Sequence, residues 1–178
     1  MEMYIQTYDS PLGELYLCSD GEWLTGLWFA SSNHYPQQIL DYDRGELTVF
    51  RQTRRWLDSY FSGKEPTFQP AYHIEGLTPF RSQVITCLQQ IPYGKVTTYQ
   101  TIAAHIAKQN GMKKMSAQAV GGAVGWNPIS IIIPCHRVIG KNGSLTGYGG
   151  GLQNKIRLLE LEGIDCSAFY IPEKGSAR

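Results

Sequence analysis

The chain has 178 residues, 42% hydrophobic and 17% charged, with a net charge of +1. That is enough apolar material for one ordinary domain or two small ones with a real core, which excludes a disordered or low-complexity chain. No apolar run approaches the ~20 residues of a membrane helix, and the opening MEMYIQTYDSPLG lacks the charged-then-apolar pattern of a secretion signal, so a cytoplasmic protein without a membrane partner is expected.

Taken in order, residues 3–10, 14–19 and 22–29 read as strands, separated by turns at Pro11-Leu12-Gly13 and Asp20-Gly21. A helix is predicted over about 46–61, where Phe50, Leu57 and Phe61 recur at helical spacing beside Trp56 and Tyr60. Ser62-Gly63 ends it, and Pro66 and Pro70 punctuate a connector reaching about Thr78. This is the predicted boundary between a first domain, 1–77, and a second, 78–178.

The second domain reads as mostly helical. A helix from Pro79 to about Gln90 stops before the breaker cluster Ile91-Pro92-Tyr93-Gly94. Thr98 is placed to cap a short helix over 99–107, and Ser116 to cap another over 117–126. Two short helices joined by a turn fit a helix-turn-helix or an ordinary helical hairpin. The second contains Ala119-Val120-Gly121-Gly122-Ala123, and each glycine costs a helix roughly 1 kcal/mol relative to alanine. Close approach to another backbone or to a nucleic-acid groove would offset that cost. A last helix, about 152–162, is predicted to bury Leu152, Ile156 and Leu159, with Lys155 on its polar side and Gly163 as its stop.

Charge divides the chain. Residues 1–79 carry five Lys and Arg against eleven Asp and Glu, residues 80–178 eleven against four, and no acid occurs from Phe80 to Leu159. Such a stretch suits phosphate attraction, and it also suits a mildly basic solvated face. The four cysteines (Cys18, Cys87, Cys135, Cys166) form no CxxC pair and the four histidines are scattered, so free thiols and no metal site are expected.

Between the short helices and the last helix, an apolar run leads through Pro134 to Cys135, His136 and Arg137. The thiolate is the reactive form of cysteine; a neighbouring histidine can take its proton, and a carboxylate would orient that histidine. The nearest acids along the chain are Glu160 and Glu162. Taken alone, a Cys-His pair fits a buried structural cysteine better than a nucleophile.

The wider segment removes that ambiguity. Ile133-Pro134-Cys135-His136-Arg137-Val138-Ile139 resembles the active-site signature of the methylated-DNA–protein-cysteine methyltransferases. Tyr93-Gly94-Lys95-Val96 with Tyr99, Ala119 to Ala123, Asn127-Pro128, Gly150-Gly151-Leu152 with Lys155, and Leu158 to Gly163 match that family in the same order. Asp9-Ser10-Pro11-Leu12-Gly13 is similar to its N-terminal opening. Coverage is continuous from about Thr78 to Gly163.

The resemblance implies an α+β protein: a small ribonuclease-H-like domain followed by a mainly helical winged helix-turn-helix domain. The implied activity is DNA repair by one irreversible transfer of a methyl or other alkyl group from guanine O6, with O4-alkylthymine as a further substrate class. Cys135 would be the acceptor, His136 its base through a water, Glu162 the partner of His136, and Asn127 the residue tightening the turn. The target base would be flipped out. Tyr99 would crowd the target phosphate and protonate the leaving guanine; Val138, Tyr148, Gly149 and Lys155 would form the base pocket. Ala117, Gln118, Gly121, Gly122 and Arg137 would face the minor groove of double-stranded DNA. No cofactor is implied, and a monomer is expected. One position departs: the family usually has arginine where this chain has Gln118, and glutamine lacks the charge and the planar guanidinium. The alternative is a non-catalytic lesion binder, although relatives of that type lack the nucleophilic cysteine that this chain has as Cys135; a thiol hydrolase is a second.

Overall fold

A computed structural model describes residues 1–32 and 34–173. The chain separates into two compact units, one of residues 1–76 with 128–132, the other of residues 77–127 with 133–178.

In the first unit, β1 (Tyr4–Ser10), β2 (Gly13–Ser19) and β3 (Leu24–Phe29) form an antiparallel sheet in the order β1-β2-β3. The β1–β2 hairpin pairs Tyr4 with Ser19 and Ser10 with Gly13. Gly13 takes φ +114°, and Ser10 Oγ accepts from the Leu12 N–H at 3.1 Å. That chemistry is why Ser-Pro-Leu-Gly makes the turn. α1 (Thr48–Phe61) turns Val49, Phe50, Thr53, Trp56, Leu57 and Tyr60 inward, with Trp56 and Tyr60 stacked 5.3 Å apart. Phe50 is fully buried, and its replacement by alanine would cost about 3–5 kcal/mol. The helix begins two residues later than its periodicity suggests. Leu47, at its N-cap, offers no side-chain acceptor, so nothing in the sequence marks the start.

The first unit also takes in 128–132. Leu27 N–H donates to the Pro128 carbonyl at 2.9 Å and Ser130 N–H to the Leu27 carbonyl at 3.0 Å. Ile129 thereby runs parallel beside β3. Ile132 N–H bonds back to the Ser130 carbonyl at 2.8 Å around Ile131, which sits at φ 71°. This is a tight three-residue turn in a conformation that β-branched residues rarely adopt.

The second unit is helical. α2 (Pro79–Gln89) opens on Thr78, whose Oγ1 accepts from Arg81 N–H at 3.2 Å, with Pro79 in the first turn where its missing N–H costs nothing. β4 (Thr97–Thr98) leads into α3 (Tyr99–Gln109), capped by Thr98 Oγ1 on Thr101 N–H at 3.0 Å. α4 (Ala117–Trp126) is capped by Ser116 Oγ on Ala119 N–H at 3.2 Å. Arg81 lies 4.0 Å above the Trp126 ring and ties α2 to α4. β5 (Val138–Ile139) pairs parallel with β4, Thr97 opposite Val138.

α5 (Leu152–Leu161) follows and ends before Gly163 at φ +85°. It differs from the sequence reading on one face. Leu158, Leu159 and Lys155 are buried, whereas Leu152 and Ile156 are half-buried against Ile139, Leu145 and Leu159. Lys155, expected on the polar side, is 0% exposed. A small sheet domain and a helical domain together make an α+β fold. Among the described residues, no helix is long and apolar enough to cross a membrane.

Candidate active site

The site is assembled in the second unit from several short segments. The apolar run ends at Pro134, and Cys135–Arg137 then form one turn of 3-10 helix, entered by the Cys135 N–H bond to the Ile133 carbonyl at 2.8 Å. Asn127, at the end of α4, donates its side-chain N–H to that same Ile133 carbonyl at 2.9 Å and also bonds Cys135. The polar end of α4 therefore clasps the segment that carries the thiol.

His136 is sealed from solvent, and its Nε2 meets Glu162 Oε2 at 2.5 Å. Glu162 follows α5. Its Oε1 accepts from Arg137 Nε at 2.7 Å and from the Gly94 N–H at 3.0 Å. Burial alone would raise the Glu162 carboxyl, but the His136 bond, the neighbouring cations and the Gly94 N–H outweigh it and hold it at about 2. Burial pushes His136 below its ordinary value, against the pull of Glu162. An ionised carboxylate only accepts hydrogen bonds, so a neutral His136 carries its proton on Nε2 and keeps a basic lone pair on Nδ1.

Burial raises the Cys135 thiol, countered by the Asn127 hydrogen bond and the Lys155 charge. The thiol is thus protonated at rest and needs a base when it reacts. Burial lowers Lys155 to about 8, against the pull of Cys135. Its Nζ donates to the Thr146 carbonyl at 3.2 Å, which also accepts from Tyr99 Oη–H at 3.1 Å. Burial and the nearby Cys135 push Tyr99 up to about 12, so its hydroxyl keeps its proton.

The remaining expected residues lie nearby in the fold. Val138 is buried in β5. Tyr148 and Gly149 sit in the turn before α5, closed by Gly151 N–H on the Tyr148 carbonyl at 3.0 Å. A cleft of about 390 Å³ is lined by Tyr99, Ala117, Gln118, Gly121, Lys141 and Gly147, among others. Gln118 and Gly122 are exposed on α4, and a Cβ built on Gly122 would meet nothing within 4 Å. The cost of that glycine therefore has no counterpart within the described protein. Arg137 turns inward, with Nε on Glu162 and Nη1 on the Ile91 carbonyl at 2.8 Å. A second cleft, about 440 Å³ between α2 and α3, holds none of the expected residues.

Two participants escaped sequence reasoning. The Thr146 carbonyl is backbone and leaves no sequence signal. Gly94 stood in a recognised motif, but its N–H toward Glu162 could be placed only by the fold.

The 6-O-methylguanine DNA methyltransferase DNA-binding domain matches residues 79–164, and the ribonuclease-like domain of the same family matches 3–71. The chain belongs to the 6-O-methylguanine DNA methyltransferase family. It is 40% identical over 162 residues to a methylated-DNA–protein-cysteine methyltransferase of Haemophilus influenzae, covering 91% of this chain and 87% of that one. A protein of the same name from Methanosarcina acetivorans is 42% identical, covering 90% and 99%. Among solved structures, the O6-methylguanine methyltransferase of Mycobacterium tuberculosis matches with a TM-score of 0.77 at 40% identity, covering 90% of this chain and 92% of the other. The OGT of that organism in complex with DNA matches with a TM-score of 0.76 at 39% identity, covering 89% and 92%.

Proposed function

We propose that this protein repairs O6-alkylguanine in duplex DNA by moving the alkyl group onto Cys135 once per molecule. One observation carries the reading: a buried thiol stands next to a histidine whose other ring nitrogen is occupied by an ionised, clamped carboxylate. His136 Nδ1 takes the thiol proton through a bridging water, and Glu162 stabilises the imidazolium that forms. The Cys135 sulfur then attacks the alkyl carbon in line. The new S–C bond forms as the C–O6 bond breaks, and its electron pair stays on guanine. Tyr99 supplies a proton to the departing base, and water restores it. The thioether offers no leaving group, so the protein is consumed.

Delivery of the base follows from α4. Ala117, Gly121 and Gly122 let this helix approach the minor groove, and Gln118 fills the gap left by the flipped nucleotide, hydrogen-bonding but uncharged. Tyr148 walls the pocket, the Gly149 N–H meets O6, and the Cys135 and Val138 carbonyls read the guanine amino group. The protein acts as a monomer in the cytoplasm and requires no cofactor.

Titrating the protein with methylated duplex tests this reading. Demethylated guanine is expected to plateau at one equivalent per protein. Continued turnover would indicate a hydrolase, and binding without demethylation a lesion sensor; either result overturns the proposal.

A further inference from the structure

Glu162 is held by donors from separate segments. Its Oε2 meets His136 Nε2, while Oε1 takes Arg137 Nε at 2.7 Å and the Gly94 N–H at 3.0 Å. Arg137 extends a second arm, Nη1, to the Ile91 carbonyl at 2.8 Å, and its guanidinium carbon lies 5.7 Å from the centre of the Tyr93 ring. The Arg137 side chain is 11% exposed and the Glu162 side chain 0%. Building on the alkyl-transfer reading, we propose that Arg137 is a positioning residue for His136, acting through Glu162, and not a contact to DNA phosphate.

The geometry makes two demands that Arg137 meets. A carboxylate held by one oxygen can swing about its Cγ–Cδ bond and exchange oxygens. With Oε1 fixed by a planar guanidinium and a backbone N–H, Oε2 has one direction left, and it faces His136. The clamp is a single unit, because Arg137 also pins Ile91, at the head of the turn that supplies the Gly94 N–H. Gly94 itself must be glycine: it sits at φ +74°, and a Cβ there would come 3.2 Å from the Glu162 backbone carbonyl. Lysine has no fork and could not hold a carboxylate and a carbonyl in one plane.

The charge acts in the same sense. The charged groups facing His136 are Glu162, which favours the imidazolium, and Arg137 and Lys155, which oppose it. The thiol of Cys135 precedes it in the same turn. Arg137 therefore adds to burial in favouring a neutral His136, the form that accepts a proton, and adds to the His136 bond in favouring an ionised Glu162. An arginine reading phosphates would aim its donors at solvent, whereas Nε and Nη1 here are both spent on the protein.

Arg137→Met removes the clamp and tests the inference. Single-turnover alkyl transfer from methylated duplex is measured across pH, beside affinity for unmodified duplex. Loss of a cation lets His136 protonate more easily, so the acid limb of the rate profile is expected to move to higher pH. The neutral-pH rate is expected to fall about tenfold or more, with duplex affinity unchanged. Arg137→Lys keeps the charge without the fork, so it should restore the acid limb more fully than the rate. In the unaltered protein, which needs no variant to fold, the Arg137 Nε–H resonance should exchange slowly and stay in place when duplex is added. An unmoved acid limb with weakened duplex binding would overturn the inference, as would an Nε–H resonance that shifts on DNA. Absence of transfer by the unaltered protein would instead overturn the reading beneath it, and the resonance would still decide where Arg137 points.

Discussion

His136 Nε2 lies 2.5 Å from Glu162 Oε2, with both side chains closed to solvent. A carboxylate in that position fixes the imidazole tautomer and its plane, and supplies the negative charge that a transient imidazolium needs. The couple stands one residue from a thiol that burial keeps protonated. His136, Glu162 and the Cys135 thiol are thus brought together by one 3-10 turn and the end of one helix.

Glu162→Gln keeps the shape and removes the charge. Arg137 and His136 would then face a neutral amide in a dry site. Loss of one member of a buried ion pair costs about 3 kcal/mol or more, which urea unfolding would register. The alkyl-transfer rate is expected to fall on the order of a hundredfold, as measured by single-turnover kinetics.

Acid should destabilise this unit in two stages. His136 lies below its ordinary 6.5 when folded, so the unfolded chain gains a proton first as pH drops, and stability declines from about that pH downward. Glu162 is held near 2 against an ordinary 4.5. Its contribution is complete above 4.5 and lost as pH falls through about 2, roughly 3 kcal/mol in all. Urea midpoints taken from neutral pH downward should fall steadily, and in Glu162→Gln the lower stage should be absent.

The helix of small residues and the N-caps of both short helices were legible in the sequence. Ser116 and Thr98 are cap residues whose side chains can only be spent locally, and α4 runs over the ten residues that the pattern implied. The long acid-free stretch narrowed the carboxylates beside His136 to Glu160 and Glu162, and the family resemblance pointed to Glu162. Three features were hidden. The run before Cys135 is short and apolar, and such a run does not reveal which strand it will join; part of it lies beside β3. Lys155 reads as a surface residue because lysine is seldom buried, yet it lies inside the fold with its Nζ donating to the Thr146 carbonyl. Arg137 reads as a DNA contact from its charge, but only the fold shows its Nε and Nη1 donors spent on the protein.

Gly122→Ala separates folding from DNA contact. A Cβ there has open space around it, so helix propensity should stabilise the protein by about 1 kcal/mol. If α4 lies against the minor groove, duplex affinity should drop in the same variant. Thermal unfolding and fluorescence anisotropy would measure the two, and higher stability with unchanged affinity would argue against α4 as the contact.

Lys155→Met removes the cation that lowers the Cys135 thiol. The thiol should then ionise at higher pH, seen as an alkaline shift in its rate of modification by iodoacetamide. The Thr146 carbonyl keeps Tyr99 as a donor, and a buried ammonium no longer needs desolvating. Stability is expected to change by less than about 1–2 kcal/mol. A modification profile that does not move would place Lys155 outside the field of the thiol.

Peptide mapping by mass spectrometry after reaction with duplex carrying O6-methylguanine tests the central claim most directly. The chain has four free cysteines, Cys18, Cys87, Cys135 and Cys166, so the experiment carries its own controls. One methyl group is expected on the peptide containing Cys135, stable to dialysis, with the other three unmodified. A methyl group on any other cysteine, or demethylated DNA with no modified peptide, would contradict the account.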